Sequence, residues 1–148
     1  AGLDIRYDEG AHKTVLQALI LRQLVGNDVS MGVLLDWDGP GKSARDMLKK
    51  FNWGKCIKTY REWRNLEPSD VSVEAEDMFP DRFLTAFVRN NGEGVVSEKV
   101  QFRDGTFHVG FTQPGKELFL EYIDRELKAS HIKVWLTILK HLRTPLKL

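Results

Sequence analysis

The sequence predicts an α+β domain, mostly helical, with one antiparallel β-hairpin and a closing pair of helices. Three observations carry this. VVSEKVQF (95–102) and TFHVGF (106–111) alternate apolar and polar residues around Arg103-Asp104-Gly105, the pattern of a hairpin closed by a tight turn. Elsewhere apolar residues recur at helical spacing. The length, 148 residues, suits one domain with its own core.

Taken in order, AHKTVLQALILRQLV (11–25) sets Val15, Leu16, Leu19, Ile20 and Leu24 on a helix that Gly26-Asn27 ends. Residues 29–37 fit either a short strand or a buried helical turn. Asp38-Gly39-Pro40-Gly41 is a break, and Ser43 is the expected N-cap of the next helix. Ala44, Met47, Leu48 and Phe51 form that helix's stripe, and 52–55 interrupts it. Ile57, Tyr60 and Trp63 predict a further helix, so that 43–66 reads as helix, turn, helix. Residues 67–80 read as an acidic connection with a short strand at 71–73. A helix over 81–90 turns Phe83, Leu84, Phe87 and Val88 inward. After the hairpin, Thr112 caps a helix over 114–128, with Pro114 in its first turn, where a missing N–H costs little. Ala129-Ser130 separates it from a last helix over 131–143.

Apolar content of 42% and charged content of 29% are ordinary for a soluble globular protein. One cysteine, Cys56, excludes an internal disulfide and fits a reducing compartment. No run approaches the roughly 18 apolar residues of a membrane helix, and AGLDIRYDEG lacks a signal-peptide pattern. The expectation is an intracellular protein of cytoplasm or nucleus with no membrane partner.

Net charge is +1, but it is unevenly placed. Segment 42–64 carries Lys42, Arg45, Lys49, Lys50, Lys55, Lys58, Arg61 and Arg64 against Asp46 and Glu62. Segment 67–81 carries six carboxylates and no Lys or Arg. A basic surface for an anionic partner is one reading; the acidic neighbour folding against it is the other.

LLDWDG (34–39) resembles the first motif of the haloacid-dehalogenase-like phosphatases. That resemblance implies Asp36 as nucleophile and Asp38 as general acid around Mg²⁺, a chemistry in which the metal cancels charge during attack on phosphorus. It further calls for a later Lys, an acidic pair, for which Glu76-Asp77 in a generally acidic run is the candidate, and a doubly wound parallel sheet. Pro40 stands where that family has Thr, and the competing reading is a turn in which each Asp bonds its own backbone. Gly41-Lys42-Ser43 is not a P-loop, because Asp36 occupies the position of its first glycine. His12, His108, His131 and His141 lack zinc spacing, and no Gly-x-Ser-x-Gly marks a nucleophile. His108 is expected on the outer face of the hairpin.

The element order, and the stretch VVSEKVQFRDGTFHVGFTQPGKELFLEYIDREL above all, resembles a winged helix-turn-helix protein. Thr112-Gln113-Pro114-Gly115-Lys116-Glu117-Leu118 matches the strand-to-helix junction of that superfamily. The resemblance implies a winged-helix-like fold that binds double-stranded DNA. The candidate contacts are Lys49, Lys50, Lys55, Lys58, Thr59, Arg61 and Arg64 on the helical pair and Lys99 and Arg103 on the wing. About thirty residues separate the helical pair from the hairpin, so the 81–90 helix, with Arg82, Thr85, Arg89, Asn90 and Asn91, is the alternative reader of bases.

The sequence therefore favours a nucleic-acid-binding regulator of transcription or replication over an enzyme. No catalytic residue, metal or cofactor is assigned. A homodimer through the C-terminal helices is a further expectation. A protein-interaction module on the same scaffold is the alternative, for which Trp37, Trp53, Trp63 and Trp135 would be interface or core residues.

Overall fold

The computed structural model describes residues 10–26, 30–63, 70–103 and 105–143. Helix α1 (Ala11–Val25) ends at Gly26, whose φ of 68° suits a residue without a side chain. It is apolar around much of its circumference, so periodicity does not choose its buried face. Val15 and Ala18 go inward, and Leu16, Ile20 and Leu24 stay exposed.

Strand β1 (Val33–Leu35) leads into helix α2 (Gly39–Lys50), which returns to strand β2 (Ile57–Thr59). The two strands are parallel, with Val33 beside Ile57 and Leu35 beside Thr59. Helix α2 starts earlier than Ser43. Asp38 is its N-cap, accepting a 2.6 Å hydrogen bond from the Gly41 N–H, and Pro40 sits in the first turn, where its fixed φ is already helical. The Gly-Pro-Gly break is thus a helix entrance.

The expected second helix of a helix-turn-helix does not form. Ile57 and Thr59 are buried with Lys58 between them, so the segment has a period of two, and its β-branched residues pair with β1. Tyr60–Trp63 then makes one short 3₁₀ turn. Arg64 and the rest of 64–69 lie outside the described residues.

Val73 forms an isolated antiparallel bridge with Trp37, in place of the expected 71–73 strand. A 3₁₀ turn over Ala75–Met78 precedes helix α3 (Asp81–Asn91). Strands β3 (Val96–Gln101) and β4 (Phe107–Phe111) form the expected hairpin, and Gly105 adopts a φ of 85° at its turn. Helix α4 (Gln113–Glu126) is capped by Thr112, whose hydroxyl accepts the Gly115 N–H at 3.1 Å. A Cβ at position 115 would run into the Val95 carbonyl oxygen, so the Thr-x-x-Gly spacing follows from close packing. Helix α5 (Lys133–Arg143) follows a short turn over Ala129–His131.

Three apolar clusters result among the described residues. Val15, Ala18, Val33, Leu35, Ala44, Leu48, Trp53 and Ile57 hold α1 to the βαβ unit. Phe79, Phe83, Leu84, Phe87, Val88, Val95, Val109, Phe111, Phe119 and Tyr122 hold α3, the hairpin and α4 together. Val73, Met78 and Ile138 form a smaller cluster that gathers Leu34, Trp37, Tyr60, Trp63 and the α5 side chains Val134, Trp135 and Leu142. The apolar stripe of α5 is therefore occupied within the chain. Among the described residues no helix is long and apolar enough to cross a membrane.

Candidate functional site

Asp36 follows directly on β1, at the carboxyl end of a parallel strand pair. Open α/β units place ligands at that edge, because the strand ends there and the next helix begins. Gly41 brings the helix entrance close: a Cβ there would collide with the Asp36 carbonyl oxygen and lie 2.8 Å from Asp38 Oδ1. Any other residue would push α2 off the strand end.

The acidic segment closes over this edge. Trp37 N–H donates to the Val73 carbonyl at 2.7 Å, and Val73 N–H returns a bond to Trp37 at 3.2 Å. This bridge lays Glu74–Met78 beside Asp36, whose Oδ1 accepts the Ala75 N–H at 3.2 Å. From the first turn of α4, Lys116 Nζ reaches Glu74 Oε2 at 2.9 Å and Glu76 Oε1 at 3.7 Å. Residues forty and eighty positions apart are thereby gathered: Asp36, Glu74, Glu76 and Lys116.

The electrostatics follow from this crowding. Burial, then Glu74, Glu76 and Asp38, push the Asp36 carboxyl up to about 7, against a smaller opposing pull from Lys116. Burial also raises Glu76, with Lys116 working the other way. Burial opposes the Lys116 ammonium, but Glu76 and Glu74 outweigh it and hold the group charged well above its usual range. Asp36 is thus poised between its protonated and ionised forms near neutral pH, beside a permanent cation.

Behind the edge lies a buried pair that the sequence places differently. His108 is not on an outer face. Both it and Asp77 are about 1% exposed, and Asp77 Oδ2 is 2.8 Å from His108 Nδ1. Strand β4 is covered on both faces, with the 75–78 turn lying over the His108 side. Asp77 also accepts the Glu74 N–H at 2.8 Å and the Val109 N–H at 3.4 Å. Burial lowers His108, but the Asp77 hydrogen bond and charge raise it further, and the net shift is upward. The pair fixes the turn that carries Glu74 and Glu76.

The predicted nucleic-acid contacts do not share one helical face. Lys49 and Lys50 are exposed near the end of α2, and Lys55 is exposed in the following turn. Lys58 lies in β2 and pairs with Glu62 at 2.7 Å. Thr59 is buried in β2 and cannot read bases. Lys99 and Arg103 are exposed on the hairpin, Lys99 lying 5.2 Å from the Phe107 ring centre. Arg61 instead joins Lys42 and Arg45 around the indole of Trp37, at 5.9, 5.0 and 4.7 Å from its centre.

The sequence named Asp36 and Asp38 but assigned no role to Glu74 or Lys116. Lys116 stood in the Thr-x-x-Gly-Lys motif, and Glu74 in a generally acidic run; neither signal points to the other. Among the described residues no three His, Cys, Asp or Glu side chains converge into a ready-made metal cage. No family model matches the chain, and no curated protein or solved structure matches it.

Proposed function

We propose that the protein acts on nucleic acid and hydrolyses phosphodiester bonds with a divalent cation held at Asp36. One observation carries the reading: a carboxylate poised near neutrality at the end of a parallel strand, with Glu74, Glu76 and Lys116 gathered about it. The acidic pair and the later lysine that the phosphatase chemistry calls for have these three as candidates, although the βαβ unit has only two strands.

Mg²⁺ suits such a site, because it keeps several waters and takes one or two carboxylates together with substrate phosphate oxygens. The cation would lower the charge repulsion among Asp36, Glu74 and Glu76 and displace the proton that Asp36 holds near pH 7. It would supply an activated water and neutralise charge on the phosphoryl group. Attack by that water would form a P–O bond as the ester P–O bond breaks; the water would give up one proton to solvent and the departing oxygen would take one from solvent. Lys116 stabilises the negative charge that develops on the phosphoryl oxygens. The basic residues of 42–61 bind the flanking backbone.

The test is cation-dependent cleavage of end-labelled oligonucleotides, with melting temperature followed in parallel. Mg²⁺ or Mn²⁺ should raise the melting temperature of the wild type at pH 7 and support cleavage. Asp36→Asn should remove both. Cleavage that survives in Asp36→Asn, or an unchanged melting temperature, would sink the proposal.

A second reading, a winged-helix regulator of duplex DNA, is favoured by the hairpin that runs into Thr112-capped α4. In it α3 offers Arg82, Thr85, Arg89, Asn90 and Asn91, all exposed, although the Asn91 side chain at the last turn donates back to the Phe87 carbonyl. Both readings share nucleic acid as the partner.

A further inference from the structure

Next to Asp36 lies a feature that the proposed chemistry leaves unused. An open cavity of about 400 Å³ has Trp37, Arg45, Lys49, Ile57 and Arg61 in its wall, with the Glu62 carboxylate among them. That volume is in the range of small-ligand sites and suits one nucleotide.

Its walls are unlike an ordinary solvated basic face. Lys42, Arg45 and Arg61 converge on a single indole at 4.7 to 5.9 Å. The ring's π-face attracts each cation, but the cations repel one another, and an anion between them would relieve that repulsion. Among the described residues, the carboxylates near Lys42 and Arg45 serve this poorly. Asp46 is exposed and meets Arg45 at 3.0 Å from the next position on α2, and Glu62 is engaged by Lys58. The Trp37 indole N–H is buried and meets no acceptor among the described residues. A buried donor of this kind is satisfied when a ligand supplies an oxygen. Ile57 and Trp37 add apolar wall.

We propose that this cavity holds one unstacked nucleotide of a single strand. Its phosphate lies between Arg45 and Lys49 of the wall, with Lys42 adding charge from beside the indole, and its base lies against the Trp37–Arg45 pair. Aromatic rings and guanidinium planes are the usual stacking partners of splayed bases, whereas a base paired inside a duplex cannot enter a concave site. Trp37 adjoins Asp36 in the chain, so the cavity lies one residue from the carboxylate edge. The inference rests on the reading above for nucleic acid as the ligand, and deepens it by naming single-stranded substrate.

The experiment is an indole ¹H–¹⁵N titration without divalent cation, with Trp37→Phe identifying the Trp37 signal. The titrants are a 5′-phosphorylated ten-nucleotide oligothymidylate, a duplex of equal length, and inorganic phosphate. The single strand should move the Trp37 signal at lower concentration than either of the others. Arg45→Ala should weaken its binding about tenfold, since one side chain contributes both charge and a stacking plane. Lys42→Ala, which leaves the cavity wall intact, should weaken it less. A Trp37 signal that stays fixed while the strand binds, a duplex that binds equally well, or phosphate alone giving the same shift would each overturn the proposal. Asp36→Asn separates the two ideas. Loss of cleavage with the Trp37 shift retained supports both. Asp36-dependent cleavage with no Trp37 shift removes the cavity alone. A Trp37 shift in a protein that never cleaves removes the chemistry alone.

Discussion

The half of the molecule built from α3, the hairpin and α4 is packed by rings. Phe79, Phe83, Phe87, Phe111, Phe119 and Tyr122 contact one another with centroids 4.9 to 6.1 Å apart. The half built from α1 and the βαβ unit is packed by smaller aliphatic side chains around Trp53, and leaves Leu16, Ile20 and Leu24 of α1 exposed. The crowded carboxylates lie where the halves meet. Asp36 comes from the aliphatic half, Lys116 from the aromatic half, and Glu74 and Glu76 from the strap between them. A site of mutually repelling groups is held only if its supports are rigid. The aromatic half supplies that rigidity through Lys116 and through the buried Asp77–His108 pair.

The largest effect should therefore fall on the aromatic half. Phe87 is fully buried and touches three other rings. Phe87→Ala should cost about 4 kcal/mol and Leu48→Ala, equally buried in the other half, about 3 kcal/mol. Urea unfolding measures both. A larger loss at Leu48 would break the comparison.

Next comes the pair that ties strap to hairpin. Asp77→Ala leaves His108 and the Glu74 and Val109 N–H groups without their acceptor, at a cost of about 3 kcal/mol. The sign of its pH dependence is set by His108, which is raised in the folded state above its ordinary value of 6.5. The folded protein binds that proton more tightly, so the pair's contribution is complete below pH 6.5 and fades as pH rises through the folded value. Glu74 and Glu98 also face the imidazole and act in the same direction. Unfolding titrations of wild type and Asp77→Ala should differ more at pH 6 than at pH 9. Equal differences would show that His108 does not titrate between those two values.

These two effects bear on what was legible in the chain. Helices α1 and α3, the hairpin and the Thr112 cap have local signals: apolar spacing, an Asp-Gly turn, a hydroxyl before Pro. They form close to where those signals put them. The 57–63 segment misled, because Ile57, Tyr60 and Trp63 are spaced as on a helix while pairing with β1 decides the outcome. Gly39-Pro40-Gly41 misled likewise, because the same residues suit a turn and a first helical turn; only Asp38 as a cap distinguishes them. The site was half legible. Asp36 and Asp38 carry a motif, but Glu74 and Lys116 reach Asp36 through tertiary packing, which leaves no local pattern. His108 alternates properly for a strand, yet alternation does not say that both faces of β4 are covered.

A smaller effect with the opposite sign should come from Asp36. The folded protein keeps its proton up to about 7, whereas the unfolded chain releases it near 3.8. Between those values the folded state binds more protons, so stability falls as pH rises. Asn carries no charge and keeps an oxygen for the Ala75 N–H. Asp36→Asn should be more stable than the wild type by on the order of 2 kcal/mol at pH 8 and equal to it at pH 3.5. A variant less stable at pH 8 would mean that the carboxylate is supported there, and the edge would no longer contrast with the relaxed core behind it.

The smallest effect on the fold separates the halves most cleanly in function. Lys99 and Arg103 are exposed on the hairpin, and replacing both with Ala should change stability by no more than about 0.5 kcal/mol. If the aliphatic half carries the nucleic-acid surface, this double variant should weaken oligonucleotide binding less than about twofold, against the tenfold expected for Arg45→Ala. If the hairpin is instead a wing on duplex DNA, the order reverses. The double variant would then lower duplex affinity equally for all sequences and flatten the dependence of log affinity on log salt by about two, one for each lost phosphate contact, while Arg45→Ala would leave it unchanged. The same two titrations therefore decide which half meets the nucleic acid. The cations around Trp37 are the better candidates, because three of them are gathered on one ring before any ligand arrives, whereas the hairpin holds Lys99 alone against Phe107.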